Sequence, residues 1–158
     1  MKHILIVVLL AAAGMATAQT NIDLGGLSTD PGAPVEITAD SLTVDRDTGS
    51  AVFAGGVLIG QGDLRLAAER VEVIYDGETG DIARLTASGG VTLVTATEQA
   101  EAGAAEYDLT AGQLVLTGDV LLTQGASALS AERMVVNVNT GAARMDGRVR
   151  TVFRQDGQ

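Results

Sequence analysis

The side chains of this sequence that could do chemistry are nearly all carboxylates. Twenty Asp and Glu stand against ten Lys and Arg, with one His, no Cys and a formal net charge of −10. Four of the acids recur behind an alanine at near-regular intervals: Ala39-Asp40, Ala68-Glu69, Ala100-Glu101 and Ala131-Glu132. Spaced carboxylates suit a ladder of divalent cations or an acid–base pair that cleaves glycosidic bonds. Calcium needs six to eight oxygens within about 2.6 Å, which spacing alone does not assemble. Nothing selects two of the four as a hydrolytic pair. The acids read better as corner residues whose carboxylates accept backbone hydrogen bonds where the chain bends. The sequence therefore implies no metal, no cofactor and no catalytic residue.

Other chemistries lack their parts. Lys2 is the only Lys and His3 the only His, and both lie in a segment that reads as a signal. Ile4 to Ala13 is an unbroken apolar run, followed by Ala16-Thr17-Ala18, the small-x-small form that signal peptidase cuts. Residues 1–18 are expected to be removed after Ala18, sending the remainder out of the cytoplasm. That remainder has no nucleophile–His pair and no phosphate-loop Lys. Its acidity and scarce aromatics also argue against nucleic acid. Residues 19–34, which hold both prolines, Pro31 and Pro34, read as a flexible leader. Residues 35–153 read as one domain and 154–158 as a tail.

The elements that must position these acids show themselves through a repeat of about thirty residues. Each unit runs from its Ala-acid mark to a turn ending in Gly49, Gly80, Gly112 or Gly141. It then reaches a second glycine two residues before a valine: Gly55 and Val57, Gly89 and Val91, Gly118 and Val120, Gly147 and Val149. Around this second glycine the chain alternates. Phe53, Ala87, Leu116 and Met145 stand two before it, Ala51, Leu85, Leu114 and Ala143 four before, and Ile59, Leu93, Leu122 and Thr151 four after. All but Thr151 are apolar, the period of a half-buried strand. Around the acids, Ile37, Leu66 and Leu129 come three before, Leu42, Val71 and Met134 two after, and Val44, Val73 and Val136 four after. The parity shifts by one at each acid, as it does where a bulge turns a strand through a corner.

These patterns predict an all-β fold, an open twisted jelly roll of bent antiparallel strands with one continuous apolar side. The third unit breaks the pattern, with Glu98 and Gly103 at positions that should be apolar, and is expected to be irregular. Within it, Thr97 to Ala105 is the one stretch with the composition for a short helix.

An unclosed sheet leaves two edges, and edges invite pairing with another chain. One falls at Val35, Glu36, Ile37 and Thr38, the other at Arg148, Val149, Arg150 and Thr151. Residues 19–47 hold six acids and one Arg, whereas residues 144–158 hold four Arg and two Asp, so head-to-tail self-association is expected, the other reading being a solvated basic tail that blunts its edge.

The run from Val35 to Val73, VEITADSLTVDRDTGSAVFAGGVLIGQGDLRLAAERVEV, resembles the start of the OstA-like domain shared by lipopolysaccharide-transport proteins A, C and D. The likeness is carried by Ile37-Thr38-Ala39-Asp40, Gly55-Gly56-Val57 and Leu66-Ala67-Ala68-Glu69, and it extends to about Phe153. The organisation is similar to that of the periplasmic A component (LptA), since C has an anchor helix and D adds a barrel. The resemblance implies a periplasmic bridge that shields the lipid A acyl chains of lipopolysaccharide and meets C-type and D-type domains at the two membranes. The inward residues above, the alanines and Thr151 aside, would then line the lipid groove. The other reading of the same repeat is a secreted structural or adhesin-type β protein without lipid cargo.

Overall fold

The computed structural model describes residues 22–23, 30 and 32–154. The expected signal peptide, most of the leader and the tail beyond residue 154 lie outside the described residues. The described chain forms strands and turns: β1 (Ile22–Asp23), β2 (Glu36–Thr38), β3 (Ser41–Asp45), β4 (Ser50–Gln61), β5 (Leu64–Tyr75), β6 (Ile82–Val94), β7 (Glu98–Asp108), β8 (Gln113–Gln124), β9 (Ser127–Asn137), β10 (Ala142–Asp146) and β11 (Arg150–Val152). The stretch weighed as a helix, Thr97 to Ala105, lies largely within β7. Period-two burial there overrides the helix propensity of its alanines.

All strands join one antiparallel sheet whose order follows the chain from β2 through β4, β5, β6, β7, β8 and β9 to β10, with β1 beyond β10. β2 and β3 pair with the two ends of β4, Ile37 opposite Ile59 and Leu42 opposite Phe53. They are the arms of a single strand broken at Ala39-Asp40. In the same way β10 and β11 pair with the two ends of β9, Met145 opposite Met134 and Thr151 opposite Leu129. The sheet is thus a meander of eight bent strands, each with one arm on either side of a crease.

The crease is built from bulges. The register shifts between Ala54 and Val57, between Ser88 and Val91, and between Thr117 and Val120. At each of these, and again at Gly147-Arg148, two successive residues have positive φ: Gly55-Gly56, Gly89-Gly90, Gly118-Asp119 and Gly147-Arg148. Gly89 shows why the first must be glycine. At φ 81° it passes so close under β5 that an added Cβ would stand 2.7 Å from Glu69 Cβ. Asp40 and Glu132 cover Gly55 and Gly147 likewise, and the amides of both donate to those glycines' carbonyls at 2.9 Å.

Two expectations change here. In the third unit the residue facing the corner glycine, Gly118, is Gly103 and not Glu101: the register shifts between Glu101 and Ala104, and Gly103 Cα lies against Gly118. Counted from Gly103, the inward positions are Ala100, Ala105 and Tyr107, all buried, so β7 is a regular bent strand. The second change concerns the carboxylates. Acceptance of backbone N–H groups falls to the hairpin turns, where Asp45, Asp76, Asp108 and Asn137 each cap the residues that follow. Two such N–H groups, from Glu78 first and then Thr79, hold Asp76 below the usual carboxylate range.

The two arms fold toward each other across the crease, and their facing sides form one hydrophobic cluster. Alternation along every strand supplies it: the inward residue of each strand continues a row begun by its neighbour. One row runs Val44, Ala51, Val73, Leu85, Tyr107, Leu114, Val136 and Ala143. Across the crease another runs Ile37, Ile59, Leu66, Leu93, Ala100, Leu122, Leu129 and Thr151.

Candidate binding interior and sheet edges

Of the residues expected inside, sixteen are buried in this cluster: Val57, Ile59, Leu66, Val71, Val73, Leu85, Val91, Leu93, Leu114, Leu116, Val120, Leu122, Leu129, Met134, Val136 and Met145. Ile37 and Phe53 are half-buried against it. Leu42 and Val44 share the inward rows of Phe53 and Ala51, yet they stay 55% and 61% exposed because no strand lies beyond β3 among the described residues. Val149 at the opposite edge is exposed as well. Sequence reasoning left the buried alanines and Tyr107 out of the groove. Ala51 and Ala143 stand in the first of the two rows above and Ala100 in the second, and only the corrected position of the third corner brings Ala100, Ala105 and Tyr107 into phase.

The arms pack tightly. Between them lies a cavity of about 20 Å³, lined by Val35, Ile59, Leu64, Leu66, Leu85, Ala87, Ala105, Tyr107 and Leu114 with Gln61 at its side. That is room for about one water-sized group. The interior is filled by its own side chains along the crease, and the unfilled apolar surface is at the edges.

Polar closures sit at two hairpin tips of the arm that carries Ile59, Leu93 and Leu122. Tyr107 donates its hydroxyl to Gln61 Oε1 at 3.2 Å, and Gln61 Nε2 donates to the Ala33 carbonyl at 3.2 Å. Burial pushes the Tyr107 phenol above its ordinary value. Glu98 is 4% exposed, and its carboxylate accepts from Thr95 Oγ1 at 2.9 Å and from Gln124 Nε2 at 3.1 Å. Thr95 Oγ1 in turn accepts from the Glu98 amide at 3.1 Å, so the acid at an expected apolar position is satisfied by its own hairpin.

The edge residues divide. Glu36 and Thr38 are exposed on β2, while Val35 turns in and lines the cavity. Arg148, Arg150 and Thr151 are exposed on the other edge, with Arg148 3.6 Å from Glu132. Arg148 has φ 47°, a left-handed backbone that a long side chain adopts at a cost. The β10 arm of this edge is met by Ile22–Asp23.

Among the described residues no cluster of His, Cys, Asp or Glu is arranged to hold a metal ion, and the corner acids lie apart over successive glycines. Fold and site together define an open β-jelly roll whose chemistry is apolar burial within and strand pairing at the rim. A family model described as LptA/(LptD N-terminal domain) LPS transport protein matches residues 36–142. An uncharacterized protein of Rhizobium meliloti (strain 1021) is 31% identical over 146 residues, covering 87% of this chain and 78% of that one. The crystal structure of LptH from Pseudomonas aeruginosa, described as the LptA homologous periplasmic component of the lipopolysaccharide transport device, matches with a TM-score of 0.72. It is 19% identical and covers 80% of this chain and 99% of LptH. The chain belongs to the LptA/(LptD N-terminal domain) family of LPS transport proteins.

Proposed function

We propose that this chain is a periplasmic bridge protein that binds lipopolysaccharide, shields its lipid A acyl chains, and joins end to end with copies of itself and with other members of the transport machinery. The observation that carries this reading is the rim of β3, where Leu42 and Val44 continue the interior rows into solvent. An acyl chain laid there extends the apolar interior at about 0.8 kcal/mol per buried methylene. Deeper loading parts the two arms, since the closed cavity of about 20 Å³ holds no chain.

Leu, Val and Ile with few aromatics offer area without fixed geometry, which suits a flexible cargo that must move on. The unpaired β2–β3 edge at one end and the β11 arm, unpaired on its outer side among the described residues, at the other suit assembly, because a heterologous strand-to-strand contact that does not close continues from copy to copy.

The test is extraction of the purified protein with organic solvent and mass spectrometry for lipid A. The proposal expects lipid A in the wild type and much less in Val44→Asp, with both chains equally folded. Leu116→Asp is unsuited to this purpose, because Leu116 is buried in the core and its replacement unfolds the chain. Absence of lipid A from wild-type protein made in a lipopolysaccharide-producing host would refute the proposal.

A further inference from the structure

Ile22–Asp23 runs antiparallel to β10, with Ile22 opposite Ala143 and Asp23 opposite Ala142. This is the outer side of β10, whose inner side is taken by β9. The periodic register of the meander specifies what a ninth bent strand would present there. β4 and the β10–β11 strand turn at Gly55 and Gly147, so Ala51 corresponds to Ala143 and Ser50 to Ala142. Beyond β4, the next strand sets Val73 opposite Ala51 and Ile74 opposite Ser50. Val73 stands as far past Glu69 as Val44 stands past Asp40, so the edge strand of a second copy, continuing the meander, would place its Val44 opposite Ala143 and its Asp45 opposite Ala142. Ile22 and Asp23 hold those two positions, in the same order of β-branched residue then aspartate.

We propose that β1 is a built-in stand-in for the edge strand of a second copy, occupying the β10 edge until Ser41–Asp45 of that copy displaces it. The inference rests on the end-to-end reading above. Two residues of pairing are a weak hold, whereas the incoming strand brings five, together with the exposed Leu42 and Val44. The β11 arm gives the newcomer a starting point: no strand lies beyond it among the described residues, and the continued register sets Arg150 opposite Thr38 with Glu36 two residues along on the same face. Pairing begins on β11 and proceeds through the corner to β10, releasing β1. Self-assembly is thereby held back at low concentration and released by a neighbour of matching register.

The experiment is sedimentation velocity over a concentration series on the full mature chain. The Ile22→Pro/Asp23→Pro double variant, which lacks both β1 amides, should half-assemble at about tenfold lower concentration than wild type. Adding Val44→Asp to it should abolish that gain. An Ile22→Cys/Ala143→Cys chain should stay monomeric when oxidised and assemble once reduced. Equal assembly by wild type and the proline variant overturns the stand-in and leaves end-to-end joining intact, as does a gain that survives Val44→Asp. No assembly by any chain at any concentration overturns both.

Discussion

The Tyr107 hydroxyl reaches across the interior to Gln61 Oε1 at 3.2 Å, tying the strand of one arm to the end of the other. Gln61 relays the tie to the backbone of Ala33, so the segment entering β2 is fixed by a phenol 74 positions away in the chain, in an otherwise apolar setting. Tyr107→Phe is expected to cost about 1 kcal/mol, the net worth of one buried hydrogen bond, measured by urea unfolding.

The same phenol sets an alkaline limit. Burial raises its value in the folded chain above the ordinary phenol value of 10.0, so its contribution is fully present below that pH and is lost as pH rises through the higher folded value. Thermal melts should show wild type losing stability above about pH 10, with a shallower loss in Tyr107→Phe.

At the crease, Gly89→Ala meets Glu69 and a φ of 81° together, and a loss of about 1–3 kcal/mol is expected. Arg148→Asn works in the opposite direction. It relieves the left-handed backbone at φ 47° and gives up only an exposed ion pair with Glu132, for a gain of roughly 0.5–1 kcal/mol. Denaturant midpoints of the two variants should move to opposite sides of wild type.

Glu98 anchors the β6–β7 hairpin. Glu98→Ala leaves Thr95 Oγ1 and Gln124 Nε2 without their shared acceptor and is expected to cost about 1–3 kcal/mol, with Glu98→Gln intermediate. A Glu98→Ala chain as stable as wild type in urea would show that the hairpin holds without its acid.

Charge at the rim acts on assembly more than on folding. Arg148→Glu/Arg150→Glu should weaken end-to-end association by roughly tenfold at low salt, because the acidic start of a neighbour then meets acid. The difference should shrink as salt rises toward about 1 M, where screening reaches only about 3 Å. Light scattering that reports equal association at low salt would contradict this.

Much of the architecture was legible because two physical signals coincide in the sequence. Alternation about Gly55, Gly89, Gly118 and Gly147 marked which residues face inward, and the parity shift at Asp40, Glu69 and Glu132 marked the corners. The third corner was misread because Ala100-Glu101 repeats the dipeptide while the true corner, Gly103, has no acid to show. The hairpin joining Val73 to Leu85 is longer than that joining Val44 to Ala51, which hides the phase. The distance from Asp40 to Gly55 and from Glu132 to Gly147, applied backward from Gly118, lands on Gly103 and would have found it. Pairing of Ile22–Asp23 with β10 had no local signal, since two residues in a Gly-rich segment carry no periodicity and their partner lies at the far end of the chain.

The central claim, that cargo lies along the inward rows, is tested most directly by site-specific photocrosslinking to lipopolysaccharide. A photoreactive residue at Val44 and another at Thr43 sit side by side on β3, both exposed, one facing the row of Ala51 and the other paired with Val52 on the opposite side of the sheet. The account predicts crosslinks from Val44 and few from Thr43. Equal yields from the two positions would contradict it.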